Sequence, residues 1–478
     1  MEKGLLEKYR EGGSSRITWS VFFQEVKDVG FLALPMITVT LSQYFLQIIS
    51  MMMVGRLGKL ALSSTAIAIS LCGVTGFSLL FGMSCALETQ CGQAYGAKQY
   101  RKFGVQIYTG IVSLIITCVP LTILWFYMGK LLILIGQDPL ISHEAGKFVM
   151  CMIPALFAYA TLQGLVRYFL MQSLIYPLVI SSSVTLCFHI AFCWLLVFKS
   201  ELGCLGAAFS IGTSYWLNVI ILGLYMKFST DCEKTRAPIS MESFNGIGEF
   251  FRYAIPSAGM ICLEWWSFEL LIVLSGLLPN PQLETSVLSI CLSIISTIYT
   301  IPEATGSAAS SRVSNALGAG CAQAARLSVY AAMTVAVSEA ILVSSTIFAS
   351  RHILGYLFSN EQDVVDYVTN MVPLISINVI VDSLHGTLAG IARGSGWQKL
   401  GAYVNLGAYY VFGIPIAVLL GFWFELRGKG LWIGILVGAF CQAFLLALIT
   451  SLTNWEKQAT KARERIFEGS FAVEDRLV

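Results

Sequence analysis

Glu264, Glu269, Glu303, Glu339 and Asp382, together with His385, stand inside long apolar runs of this 478-residue chain. An ionisable side chain in hydrocarbon costs roughly 2.5–3.5 kcal/mol on insertion scales, so such groups usually face a protein interior and mark function. A carboxyl in that setting is pushed towards its neutral form by desolvation and towards its charged form by a nearby cation. It can therefore hold a proton or a cationic ligand and exchange one for the other. At about 100° per residue, Asp382 and His385 lie about 60° apart on one helix face. Glu264 and Glu269 lie about 140° apart and meet different surroundings. Glu264, flanked by Cys262 and by Trp265 and Trp266, sits nearer the middle of its run and is preferred to Glu269.

Each of these residues also has a plainer reading. A lone carboxyl in a membrane can simply hydrogen-bond a neighbouring helix; this would serve for Glu264, Asp382, Glu269 and Glu303. Glu339 reads as a structural or lipid-edge acid. His385 would orient Asp382, and His189 reads as a satisfied core histidine. Arg167 either neutralises an acid or snorkels to the inner surface. Tyr44, Trp265, Trp266 and Tyr299 could line a cavity for flat or cationic ligands, or merely pack.

The elements that must carry these residues are membrane helices. Hydrophobic residues make up 56% of the chain and charged ones 12%, against roughly 45–50% and about 25% in soluble domains. Spans of about 20 apolar residues fall near 30–55, 61–86, 104–128, 148–170, 175–198, 204–226, 253–279, 284–305, 325–349, 366–390, 400–423 and 429–453. The division that follows is an N-terminal segment (1–29), a six-helix lobe (30–226), a polar linker (227–248), a second six-helix lobe (249–453) and a charged tail (454–478). Residues 1–29 lack the apolar core of a signal peptide, so the first helix is expected to direct insertion. With the N-terminus inside, 22 of the 30 Lys and Arg lie on the inner side, which places both termini in the cytosol. The 13 cysteines show no metal or CxxC spacing, so neither disulfides nor a metal are expected. The net charge of +2 offers nothing to nucleic acid.

The halves repeat. Pro35 and Gly55 match Pro256 and Gly276 at an offset of 221, and Gln93-Ala94-Tyr95-Gly96-Ala97 matches Asn315-Ala316-Leu317-Gly318-Ala319 at 222. Met152-Ile153-Pro154 matches Met371-Val372-Pro373 at 219, and Glu201 and Gly206 match Glu425 and Gly430 at 224. With six spans per half, this is a parallel repeat of the kind that suits alternating access. The acids are unequally shared: Asp382 aligns with the neutral Gln163, and no acid lies between Gly30 and Gly55 in the first span. Pro35, Pro120, Pro154, Pro256, Pro302, Pro373 and Pro415 bend several spans.

Cys91-Gly92-Gln93-Ala94-Tyr95-Gly96-Ala97, Pro302-Glu303-Ala304 with Ser311-Arg312-Val313-Ser314-Asn315, and Gly394-Ser395-Gly396-Trp397-Gln398-Lys399-Leu400-Gly401-Ala402-Tyr403-Val404-Asn405 resemble the plant branch of the multidrug and toxic compound extrusion (MATE) transporters. The likeness covers residues 20 to 455. It implies an all-α membrane protein with twelve transmembrane helices in two pseudo-symmetric six-helix bundles. It also implies efflux of small organic compounds in exchange for protons, with sodium the second choice. In the plant branch the coupling carboxylates fall in spans seven and ten, here Glu264 and Asp382. Several bacterial relatives use an aspartate in the first span; this chain has none there. Glu303, His385, Glu269, Gln163 and Asn405 are then candidate supporting groups, and Tyr44, Trp265 and Tyr299 candidate cavity residues. No cofactor is expected, and the protein is expected to work as a monomer in the plasma or vacuolar membrane. The rival readings are a passive channel or facilitator and a lipid-modifying membrane enzyme. Against direct ATP drive and against the enzyme stand the lack of a P-loop, of HExxH and of a nucleophile elbow.

Overall fold

The computed structural model describes residues 18–238, 240–359 and 361–474. Among them, twelve helices are long and apolar enough to cross a membrane. They are α1 (Trp19–Leu57), α2 (Lys59–Gly96), α3 (Tyr100–Phe126), α4 (Ile153–Met171), α5 (Ile175–Phe198) and α6 (Cys204–Phe228), then α7 (Ile247–Ser275), α8 (Pro281–Gly318), α9 (Ala322–Ala349), α10 (Gln362–Ser395), α11 (Gln398–Trp423) and α12 (Arg427–Leu452). A further helix, Trp455–Glu474, follows. Helices satisfy every backbone group internally, which hydrocarbon demands. Their ends use standard devices: Gly58 at φ 126° separates α1 from α2, and Gly396 at φ 84° closes α10, a left-handed backbone that glycine adopts without strain.

α1 starts at Trp19, eleven residues before the expected span, and two helices run well past their expected C-terminal ends. α2 continues past residue 86 to Gly96 and α8 past 305 to Gly318, because the polar residues there are buried against partners instead of being shed into a loop. The fourth span starts at Ile153, and the stretch before it forms Met128–Leu134 and Pro139–Cys151. Asp138 caps the latter, its Oδ1 accepting from the amides of Leu140 (2.9 Å) and Ile141 (3.1 Å), with Pro139 at the first helical position.

In the segment between α6 and α7, Thr235 packs against the end of α4 and against α3. Tyr168 Oη lies 2.8 Å from Thr235 Oγ1, which donates to Gln172 Oε1 at 2.8 Å. A Cβ on Gly104 would meet the Thr235 carbonyl at 2.5 Å.

The contacts divide the described residues into two compact units: Thr38–Ala258, and the described residues up to Ile37 together with those from Gly259 on. Both boundaries fall two residues after the matched prolines, Pro35 and Pro256, and they are likewise 221 apart. Proline removes one backbone hydrogen bond and bends its helix, and in both helices the division falls just beyond it. The first half of α1 is held in its unit by Arg312 of α8. Its Nε and Nη2 donate to Glu25 Oε1 (2.9 Å) and Oε2 (2.6 Å), and Ser328 Oγ of α9 donates to Glu25 Oε1 at 2.6 Å.

In the unit that starts again at Gly259, α8 and α10 pack backbone to backbone. A Cβ on Gly390 would fall on the carbonyl of Gly306, and one on Gly394 would lie 2.6 Å from the Ser310 carbonyl. Small residues permit this approach, the usual source of adhesion between membrane helices. The unit's apolar core, including Leu288, Cys291, Met371, Ile375, Tyr409, Trp432 and Ile435, closes around the same helices.

Candidate functional site

Glu264 is carried by α7, eight residues beyond Pro256, and is 4% exposed; Asp382 and His385 of α10 are 3% and 1% exposed. Glu264 Oε1 accepts from the Tyr299 hydroxyl of α8 at 3.0 Å and lies 4.0 Å from His385 Nδ1. Its Oε2 accepts from Gln442 Nε2 of α12 at 3.0 Å and from Asn405 Nδ2 of α11 at 3.4 Å. The other ring nitrogen of His385, Nε2, lies 3.1 Å from Asp382 Oδ1, and Asp382 Oδ2 accepts from Asn378 Nδ2 at 2.6 Å. His385 thus stands between two carboxylates with one nitrogen towards each. Its ring lies 5.9 Å from that of Tyr299, tilted by 30°, an arrangement made possible by the close contact of α8 and α10.

The elements explain the geometry. Asp382 and His385 share a face by helical spacing, and Asn378 lies one turn before Asp382 on that face. Asn405 Nδ2 also donates to the Met260 carbonyl at 2.6 Å, which locks α11 to α7 one turn before Glu264. α11 widens into π-helical turns over Leu406–Gly413 just before Pro415, whose missing N–H leaves an α-helical register incomplete; such bulges often accompany functional sites.

Chemically, this is a buried acid–imidazole–acid array. Three side-chain donors surround the Glu264 carboxyl, from Tyr299, Gln442 and Asn405. His385 can share a proton with Asp382 across their 3.1 Å contact, whereas the 4.0 Å from its Nδ1 to Glu264 is longer than a hydrogen bond; either acid can take a proton. A proton neutralises part of the array's charge, and an organic cation would compete for the same charge.

Of the residues expected from the sequence, Glu264, Asp382, His385, Tyr299 and Asn405 are brought together. Glu303 is half-buried on α8 and lies within electrostatic reach of Tyr299. Glu269 and Trp265 are half-buried on α7 and are not among the partners of Glu264 just described. Gln163 and Tyr44 belong to the other unit. There Gln163 Oε1 accepts from Arg167 Nη1 at 3.3 Å, and Arg167 Nε lies 3.1 Å from Glu88 Oε1. Arg167 also stacks 5.0 Å above the Phe81 ring, so it neutralises an acid and does not snorkel. His189 is a satisfied core histidine, bonded to Ser50 (3.1 Å) and Ser214 (2.9 Å). Glu339 accepts from Thr305 at 2.8 Å.

Sequence reasoning missed Gln442, Tyr409, Asn378 and Glu88. Gln442 is the polar residue in the run Gly438-Ala439-Phe440-Cys441-Gln442-Ala443-Phe444, and that isolation was a usable signal. Glu88 lay beyond the expected end of the second span.

One family model matches the chain twice, over residues 35–195 and 256–419, and its description is MatE. The chain belongs to the MatE family. The two matches start at Pro35 and Pro256, the offset seen in the internal repeat. This MATE protein is 62% identical over 445 residues to Protein DETOXIFICATION 14 of Arabidopsis thaliana, covering 93% of this chain and 92% of that one. It is 58% identical to Protein DETOXIFICATION 12 of the same plant over 455 residues, 94% of this chain and 95% of the relative. The crystal structure of the eukaryotic MATE transporter AtDTX14 superposes with a TM-score of 0.90 at 62% identity, over 93% of this chain and 99% of that one. The structure titled as an outward-facing multidrug resistance MATE family transporter matches at TM-score 0.82 and 14% identity, over 94% of this chain and all of that one, a likeness of fold. The protein is therefore an integral, multi-pass MATE-family transporter.

Proposed function

We propose that this MATE transporter exports small organic compounds, cationic or amphipathic, in exchange for protons, by alternating access and as a monomer. The observation that carries the reading is the placement of His385 between Glu264 (4.0 Å) and Asp382 (3.1 Å) in a buried setting. A proton arriving from the acidic side neutralises Glu264 or Asp382, weakens the hold on a cationic substrate and alters the packing of α7 against its partners. Release of the proton to the cytosol restores affinity. Coupling follows because proton and substrate favour different states. The asymmetry of Lys and Arg supports cytosolic termini, in the plasma or vacuolar membrane. Protons are preferred to sodium because the imidazole of His385 stands between the two carboxylates, where a hard cation wants oxygen ligands.

The test is uptake into proteoliposomes under an imposed pH gradient, with labelled organic cations and anions in parallel. The wild type should accumulate a cation uphill, and Glu264→Gln and Asp382→Asn should lose that accumulation. Gradient-driven transport unchanged in both variants sinks the reading. Equilibration without accumulation in the wild type favours a passive facilitator.

A further inference from the structure

We infer that Tyr409 and Gln442 form a positioning pair that fixes the side-chain amide of Gln442 in one orientation and so sets the proton affinity of Glu264. The inference rests on the reading of Glu264 as a proton-coupling residue and adds to it two residues that do not themselves carry the proton.

The pair is built from three features. First, Gln442 and Tyr409 are fully buried, so neither is satisfied by water. Second, the Tyr409 hydroxyl lies 2.7 Å from Gln442 Oε1, while Gln442 Nε2 lies 3.0 Å from Glu264 Oε2. The two ends of an amide differ: the oxygen only accepts and the nitrogen only donates. A phenol donating to the oxygen therefore turns the NH2 group towards Glu264. Were the amide flipped, its oxygen would face a carboxylate oxygen, an arrangement with no donor between them. Third, α12 makes room for the phenol. Gly438 lies one turn before Gln442, and a Cβ there would meet the Tyr409 ring at 3.0 Å. A few residues along the same interface, a Cβ on Gly434 would fall on the backbone of Ala417. The glycines of α12 bring α11 close enough for Tyr409 to reach across.

An NH2 donor supports a carboxylate better than a carboxylic acid, because a hydrogen bond to an ionised acceptor is the stronger kind. The titratable groups facing Glu264 are Tyr299 from α8, His385 and behind it Asp382 from α10, and Tyr409 from α11 by way of the amide; Glu303 lies one helical turn beyond Tyr299. α12 contributes the Gln442 amide. Removing that donor leaves Glu264 with the Tyr299 hydroxyl and the longer Asn405 contact, so Glu264 should release its proton less readily. Hydrogen bonds to charged groups contribute enough to move a protonation midpoint by about one to two pH units.

The experiment is the pH profile of substrate exchange in proteoliposomes for the full-length protein, Gln442→Ala, Tyr409→Phe and the double variant. Gln442→Ala should shift the midpoint to higher pH by about one to two units. Tyr409→Phe keeps the ring that packs against Gly438 and removes only the hydroxyl; it should shift the midpoint the same way by less. The double variant should match Gln442→Ala, because Tyr409 acts through the amide. A purely structural role would lower the amount of transport and leave the midpoint in place, and that result overturns the inference. So does a double variant whose shift is the sum of the two single shifts. If Gln442→Ala fails to fold, Tyr409→Phe alone decides the matter by the presence or absence of its shift. Glu264→Gln separates the two readings. If it leaves proton-driven transport intact, the coupling role itself fails; if it abolishes coupling while Gln442→Ala leaves the midpoint unmoved, only the positioning role fails.

Discussion

Replacing Arg312 with alanine should detach the first half of α1 from the unit it packs in. Glu25 is 2% exposed and takes two hydrogen bonds from Arg312, at 2.9 and 2.6 Å, with a third from Ser328 at 2.6 Å. Asp28 adds a weaker contact, its Oδ2 lying 3.9 Å from Arg312 Nη2. Arg312→Ala leaves a buried carboxylate with one hydroxyl donor, and breaking a buried pair in this way costs about 3–5 kcal/mol. Where the tether governs local opening of residues 22–36, their amide protection should fall by about 10²- to 4 × 10³-fold, at 1.4 kcal/mol per factor of ten. Glu25→Gln should cost less, since the amide still accepts from Arg312 and Ser328. Hydrogen–deuterium exchange of the protein in lipid nanodiscs reads this directly, peptide by peptide. Arg312→Ala with residues 22–36 as protected as in the wild type refutes the reasoning. Loss of protection spread equally through Thr38–Ala258 refutes it too, because the damage would then be global.

Two further outcomes are expected. Arg167→Ala should destabilise the Thr38–Ala258 unit by about 3–5 kcal/mol, and pairing Arg167→Met with Glu88→Leu should recover most of that loss; thermal unfolding followed by size-exclusion chromatography of the detergent-solubilised protein checks both. Gly390→Leu should force α8 away from α10 at a cost of at least about 1–3 kcal/mol, and because Tyr299 and His385 sit on those two helices, transport per correctly folded molecule should fall as well.

Much of the architecture was legible in local sequence. Twelve spans could be counted because hydrocarbon imposes a length and a composition on each helix separately, with no reference to its neighbours. The repeat was legible because matched prolines and glycines keep their spacing. Glu264, Asp382 and His385 stood out for the same local reason, as charges in apolar runs. Glu88 did not, because its burial depends on Arg167, 79 positions away in the chain. Nor did the extra helices before α4, which a search for apolar runs passes over.

The sequence by itself determined that this chain lives in a membrane, how many times it can cross, and which acids had to be explained. Only the tertiary structure decided which groups answer those acids. Gln442 reaches Glu264 across 178 residues and Asn405 across 141, while Glu269, five residues from Glu264, is drawn into neither contact. The physical reason is that burial of a polar group is a local cost, written into each helix, whereas its compensation is a matter of donors and acceptors supplied by other helices. Where those donors come from depends on glycines that let two helices touch.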